Sequence, residues 1–206
     1  EPCMNKNLIK FLEYTESLNI MQGLITNGEL LNKNLCRKIL ESCSFIRISL
    51  DSVNPIQYKK QKKTKNFQEV ISNIRYLTEN KKGKNIQISL SYLITPDNYK
   101  DIKEGTKFFK SLGVDLVTYK YVYSNYEGLN IRYNTTQFLE EKGEEISLLL
   151  TEAKKEENEK FKIRYRHPQV FINKTLKHQS CYFTKCLVQP LNMGGVAANG
   201  DIYLCC

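Results

Sequence analysis

An α/β fold built on a parallel sheet is what this sequence predicts, and three observations carry the prediction. Strand-like and helix-like segments alternate through roughly the first 120 residues. The strand candidates read as nearly continuous apolar runs, as expected where helices cover a sheet. Successive strand candidates recur at intervals of about 30 residues, the rhythm of βαβ units. Periodicity alone leaves an open sheet and a closed barrel equally available.

In chain order, "LNIMQGLIT" is the first strand candidate and "NGELLNKNLCRKILES" a turn followed by a helix. "FIRISLDS" is the next strand. In "NFQEVISNIRYLTEN" the residues Phe67, Val70, Ile71, Ile74 and Leu77 share one helical face. "NIQISLSYLIT" is a strand, and "PDNYKDIKEGTKFFKSLG" a helix closed by Gly113. "VDLVTYKYVY" completes the alternation, after which "TTQFLEEKGEEISLLLTEAKKEENEKF" reads as one long charged helix. From Lys162 onward the chain reads as irregular. No apolar run approaches the roughly 18 residues a membrane span needs.

The net charge of +9 raises nucleic acid as a partner, because the lysines cluster in "YKKQKKTK" (58–65) and "ENKKGK" (79–84). No aromatic residues interleave with them as a base-stacking platform requires, which favours solvated loops over an RNA-binding surface. The 7 cysteines divide unevenly. Cys3, Cys36 and Cys43 sit in helix-like or strand-like surroundings, where a thiol serves as a small apolar side chain. Cys181, Cys186, Cys205 and Cys206 crowd the last stretch, a distribution that points to a reducing, cytoplasmic compartment and a thiolate site. Iron–sulfur ligation, a four-thiolate zinc site and a Cys181–Cys186 disulfide all remain open, although adjacent cysteines rarely ligate one zinc ion.

In parallel α/β sheets ligands gather at the carboxyl ends of the strands. Three polar groups fall there: Thr26-Asn27-Gly28, Ser49 with Asp51 and Ser52, and Thr95 to Asn98. Each is also ordinary turn chemistry. Asp51 stands apart, because it would bring a carboxylate to the mouth of the sheet. His167 and His178, the 2 histidines, read as structural or surface residues.

The succession Glu1-Pro2, "LITNG", "IRISLDS" and "ISLSYLIT" resembles the radical S-adenosylmethionine (SAM) superfamily. In that family Gly-Gly-Glu-Pro ends the second strand of a partial (β/α) barrel, and later strands end in Thr-Asn-Gly and Ser-Leu-Asp-Gly. Here the last of these reads Ser49-Leu50-Asp51-Ser52. The resemblance implies that Glu1 meets the methionine amino group, and that Ser49 and Asp51 meet the methionine or ribose region. It also implies that Leu93 and Ile94 lie beside the adenine, with Thr26 and Asn27 in the same crevice. The Arg that often binds the cofactor's carboxylate would fall at Gln61, which is flanked by Lys59, Lys60, Lys62 and Lys63.

The tail is similar to the SPASM type of extension, which binds auxiliary 4Fe–4S clusters. Its opening pattern is a Cys, nine to fifteen residues, a Gly, four residues and a Cys. Cys186, "LVQPLNMGGVAAN", Gly200, "DIYL" and Cys205 match it, with Cys181 and Cys206 as neighbours. The Cys-x3-Cys-x2-Cys that holds the catalytic 4Fe–4S cluster in the family does not occur in these residues. Together these features imply a partial barrel over 1–122, a helical connection over 123–161 and the start of a cysteine-bearing domain over 162–206. They imply roughly 80–120 further residues upstream and more cysteines downstream. The expected activity is generation of a 5′-deoxyadenosyl radical for hydrogen abstraction from a peptide, a protein or a small molecule. An electron donor such as ferredoxin or flavodoxin would serve it, and these residues alone would be inactive. An RNA-binding or RNA-modifying protein, and a non-catalytic module of the same fold, are the alternatives.

Overall fold

The computed structural model describes residues 1–121, 135–167, 195–196 and 202–203. The chain divides into two compact units, Glu1–Ile172 and Asn173–Cys206. In the first unit five strands form one sheet: β1 (Gln22–Thr26), β2 (Cys43–Ser49), β3 (Gln87–Ile94), β4 (Leu116–Tyr121) and β5 (Lys162–Arg164). They lie side by side in chain order, and every pair is parallel. Consecutive parallel neighbours joined by crossovers of the usual right hand place the connecting helices on one face, and among the described residues no helix covers the other.

The helices are α1 (Leu8–Ser17), α2 (Lys33–Ser42), α3 (Pro55–Lys62), α4 (Phe67–Asn80), α5 (Ile102–Ser111) and α6 (Thr135–Lys154). Asn32 caps α2 by accepting the Leu35 N–H at 2.9 Å, satisfying one of the free donors of its first turn. Asn54 caps α3 in the same way through the Gln57 N–H, and Pro55 opens that helix where no N–H is needed. Helix α4 buries the five apolar residues whose spacing predicts it. The core lies between helices and sheet, where Ile46, Ile48, Ile88, Leu90, Tyr92 and Val117 have no more than 1% exposure.

Three expectations change. The lysine-rich run at 58–65 is not a loop throughout, because α3 takes up its first half. Tyr58 is wholly buried there and donates its hydroxyl to Glu29 at 2.6 Å, while Lys59, Lys60 and Lys62 fall in the last turn, beside the negative end of the helix dipole. The stretch after Lys162 is not irregular from its first residue, since β5 pairs with β4 and extends the sheet. The strands are also less uniformly apolar than they read. Most of their large aliphatic and aromatic residues face the helices, and the alternate positions carry Arg47, Ser49, Ser91, Thr118 and Lys120 beside the apolar Phe45, Leu93 and Leu116.

In the second unit β6 (Gly195–Val196) and β7 (Ile202–Tyr203) pair antiparallel, so the chain reverses direction between them. Cys181, Cys186, Gly200, Cys205, Cys206 and His178 lie outside the described residues. His167 faces Ser147 Oγ at 2.7 Å through Nε2. No described helix is long and apolar enough to cross a membrane.

Candidate functional site

At the carboxyl end of β1, Thr26 is buried and its hydroxyl donates to Glu1 Oε1 at 2.6 Å. The Asn27 N–H donates to Glu1 Oε2 at 2.8 Å, and the Cys3 N–H reaches Oε1 at 3.2 Å. Thr26 Oγ1 in turn accepts the Gly28 N–H at 3.1 Å and lies 3.4 Å from Cys3 Sγ. With the threonine proton committed to Glu1, the thiol is the donor of that last pair. The thiol keeps its proton, because burial and the nearby Glu1 carboxylate push the Cys3 pKa up to about 11. Gly28 closes the turn with φ +82, a conformation that side-chain-bearing residues rarely adopt. Burial alone would raise the Glu1 pKa, but the hydrogen bonds from Thr26, Asn27 and Cys3 outweigh it and the net direction is down. The result is a held carboxylate that stays anionic, exposed beside the end of the strand.

A second network binds the ends of β2 and β3. Asp51 Oδ1 accepts the Leu93 N–H at 2.8 Å, and Oδ2 pairs with Lys62 Nζ at 2.8 Å. The Asn98 side-chain amide donates to both Asp51 O and Leu93 O, at 3.0 and 2.8 Å, while its oxygen accepts the Thr95 N–H at 2.7 Å. Ser52 donates its hydroxyl to Gln61 Oε1, leaving Gln61 Nε2 buried without a partner. Ser49 makes no side-chain hydrogen bond among the described residues. The fold thus gathers Glu1, Thr26 and Asn27 into one cluster, and Asp51 and Leu93, with Ile94 next in the strand, at the neighbouring strand ends. Lysines near Gln61 are not all free for an anion: Lys62 is held by Asp51 and Lys60 by Asp97 at 3.0 Å.

A third group was not singled out from sequence. By register, Arg47 lies level with Ser89 and Leu116, Ser49 with Ser91, Thr118 and Arg164, and Lys120 with Leu93. These rows occupy the face of the sheet that the helices leave free. Arg47 stands over the Phe45 ring at 5.9 Å, and its Nε is buried without a partner, as is Thr118 Oγ1. Burial, and secondarily Arg47, lowers the Lys120 pKa. A cavity of about 420 Å³ opens beside Thr118 and Lys120, lined also by Tyr121, Arg164 and Arg166. The available signal was that β1–β5 contain basic residues and no acidic one.

Residues 1–109 match the family model for the radical SAM superfamily. The chain belongs to the radical SAM superfamily. The parallel five-stranded sheet with its helices is accordingly the superfamily's partial (β/α) barrel, and the family implies S-adenosylmethionine and a 4Fe–4S cluster as cofactors. A relative in Methanocaldococcus jannaschii, a probable GTP 3′,8-cyclase, is 25% identical over 157 residues, which cover 73% of this chain and 50% of the relative. The fold superposes on SuiB of Streptococcus suis with a TM-score of 0.69 at 18% identity, over 100% of this chain and 48% of SuiB. With SuiB bound to its precursor peptide SuiA the TM-score is 0.66 at 19% identity, over 100% of this chain and 47% of SuiB. At such identities the likeness to SuiB is one of fold. This radical SAM chain spans about half the length of each of these proteins.

Proposed function

We propose that these residues form part of a radical SAM enzyme that removes hydrogen from a peptide or protein. The observation that carries the reading is the Glu1 carboxylate, held anionic by Thr26 and Asn27 at the carboxyl end of β1. An exposed, fixed carboxylate suits an ammonium group, which fits the methionine end of S-adenosylmethionine. When bound, the cofactor and its reduced cluster supply a 5′-deoxyadenosyl radical.

The chain's own residues orient and shield. Glu1 receives the ammonium, and Thr26 and Asn27 keep its two oxygens pointed. Ser49 has a hydroxyl with no partner among the described residues and is available to the methionine or ribose region. Asp51 contributes mainly by fixing the ends of β2 and β3 to each other, because both its oxygens already have partners. Leu93 donates its N–H to Asp51, so the adenine contact would fall to a remaining lone pair of Leu93 O or to the Ile94 backbone. These are the roles the residues present can fill.

The peptide class finds support in the fold neighbour solved with a precursor peptide. A small-molecule substrate is the second reading, favoured by the nucleotide-directed name of the M. jannaschii relative. The RNA reading loses ground because Lys60, Lys62 and Lys81 are paired with Asp97, Asp51 and Asp115. For the tail, we infer that Cys186 and Cys205 are ligands of an auxiliary cluster in a SPASM-like domain, with Cys181 just upstream and Cys206 just downstream as further candidate thiolates. The antiparallel pairing of β6 with β7 between the first two is compatible with that ligation.

Calorimetry on the complete, cluster-loaded protein tests the cofactor site. Glu1→Gln and Thr26→Val should each weaken S-adenosylmethionine binding by about tenfold or more, the value of a charge-assisted hydrogen bond. Unchanged affinity in both would reject the site. Iron and sulfide analysis of Cys186→Ala and Cys205→Ala tests the tail: unchanged iron would reject ligation, and stoichiometric zinc would favour a structural site.

A further inference from the structure

The free face of the sheet carries charge of one sign. Of the basic residues in its strands, Lys162 has Glu157 as an electrostatic neighbour. Arg47, Lys120 and Arg164 have no carboxylate partner among the described residues. They border a row of hydroxyls, Ser49, Ser91 and Thr118, set level by the strand register, and Arg164 ends that row. Two polar atoms of the group, Arg47 Nε and Thr118 Oγ1, are buried and unpaired. Folding brings like charges together and withholds water from part of them, an arrangement that is unfavourable until an anion arrives. Arg47 and Lys120 are close enough for the guanidinium to disfavour the charged form of the amine. The cavity of about 420 Å³ beside Thr118, Lys120 and Arg164 has room for a small oxyanionic group.

We infer that Arg47, Lys120, Arg164 and the Thr118 hydroxyl bind an oxyanion carried by the substrate, a carboxylate or a phosphate. The guanidinium groups offer planar forks that match either anion in bidentate fashion, and Lys120 adds a point charge. The inference rests on the proposed enzymatic reading for its claim that the occupant is the substrate. The anion site itself stands on the geometry of the sheet.

The test uses the complete, cluster-loaded protein and two probes, inorganic tripolyphosphate and triglutamate, titrated at low and moderate salt. At least one should bind. Arg47→Met, Lys120→Met and Arg164→Met should each weaken it by about tenfold or more, while S-adenosylmethionine affinity holds. Tighter tripolyphosphate binding assigns the occupant as a phosphate, and tighter triglutamate binding assigns a carboxylate. Arg47→Lys should recover part of the loss, because it restores charge without the fork. Without probe, Arg47→Met should melt no lower than the parent protein, since it removes an uncompensated charge. A melting point several degrees lower would show that the guanidinium is held by the fold itself, and would overturn the inference. So would binding of neither probe, or losses below twofold in all three variants. Failure of the parent protein to bind S-adenosylmethionine would strike the enzymatic reading instead, and the probe titrations would still decide the anion site.

Discussion

Replacing Asp51 by alanine should destabilise the domain by about 2 kcal/mol, in two separable parts. Its Oδ1 is the acceptor for the Leu93 N–H, and stranding a partly buried donor costs about 1–1.5 kcal/mol. Its Oδ2 faces Lys62 with side-chain exposures of 15% and 26%, so the ion pair is partly screened and contributes about 0.5–1 kcal/mol. The backbone carbonyl, which accepts from Asn98, survives the substitution. For a domain of this size the sum corresponds to a fall in melting temperature of about 4–8 °C. Asp51→Asn keeps an acceptor for Leu93 and loses only the charge, so its fall should be about 1–4 °C. Lys62→Met should match it, and the double variant should fall short of the sum of the two singles. Thermal unfolding followed by circular dichroism reads all four proteins. An Asp51→Asn melting point as low as that of Asp51→Ala would show that the charge, not the Leu93 hydrogen bond, dominates. An Asp51→Ala variant within 1 °C of the parent would refute the accounting altogether.

Three further outcomes are expected. A Cβ added at Gly23 would overlap the Phe45 ring, so Gly23→Ala should cost about 1–3 kcal/mol in denaturant unfolding, and Phe45→Leu should relieve it; equal losses with and without the second change would contradict the steric cause. Burial pushes the thiols of Cys3 and Cys36 up to about 11 and about 12 and raises that of Cys43, so iodoacetamide at pH 8 should leave all three unlabelled in the native protein, with thiolate fractions of roughly 0.1% or less for the first two; mass spectrometry finding Cys36 labelled as fast as a free thiol would overturn this. The Glu1 carboxyl titrates below its ordinary value of 4.5, so its contribution to stability is present above that pH and is lost as the pH falls through the depressed value. The melting-point gap between parent and Glu1→Gln should therefore be level from about pH 6 upward and close under acid conditions, and a gap that widens in acid would reverse the assignment.

Elements with repeated apolar spacing could be read directly. Helix α4 shows five residues on one face, and β3 shows eight residues bounded by polar turns. Helix α3 could not be read in this way, because its only buried side chain is Tyr58, whose partner Glu29 is remote in sequence. Strand β5 has three residues, too few for any period to declare itself, and it exists through pairing with β4. The strand-end residues Thr26, Asn27 and Asp51 were visible as polar interruptions of apolar runs. What each one touches was not, since Thr26 meets Glu1, and Asp51 meets Leu93 across 42 positions of chain. Arg47 and Lys120 were hidden because their strands read as apolar, and only the register shows that they share a face.

The two-sided sheet has a consequence for how such a protein can diverge. Tyr92 and Tyr119 sit on one side, in ring contact at 5.3 Å, with Phe109 packed on Tyr92. Leu93 and Lys120, one residue further along, sit on the other and take no part in that packing. Neighbouring codons therefore answer to different selective pressures. A lineage can exchange residues at alternate positions of β2, β3 and β4 to try a new substrate while its hydrophobic scaffold stays intact. Saturation mutagenesis along β4 should return a two-beat pattern, intolerant at Val117, Tyr119 and Tyr121 and permissive for folding at Thr118 and Lys120.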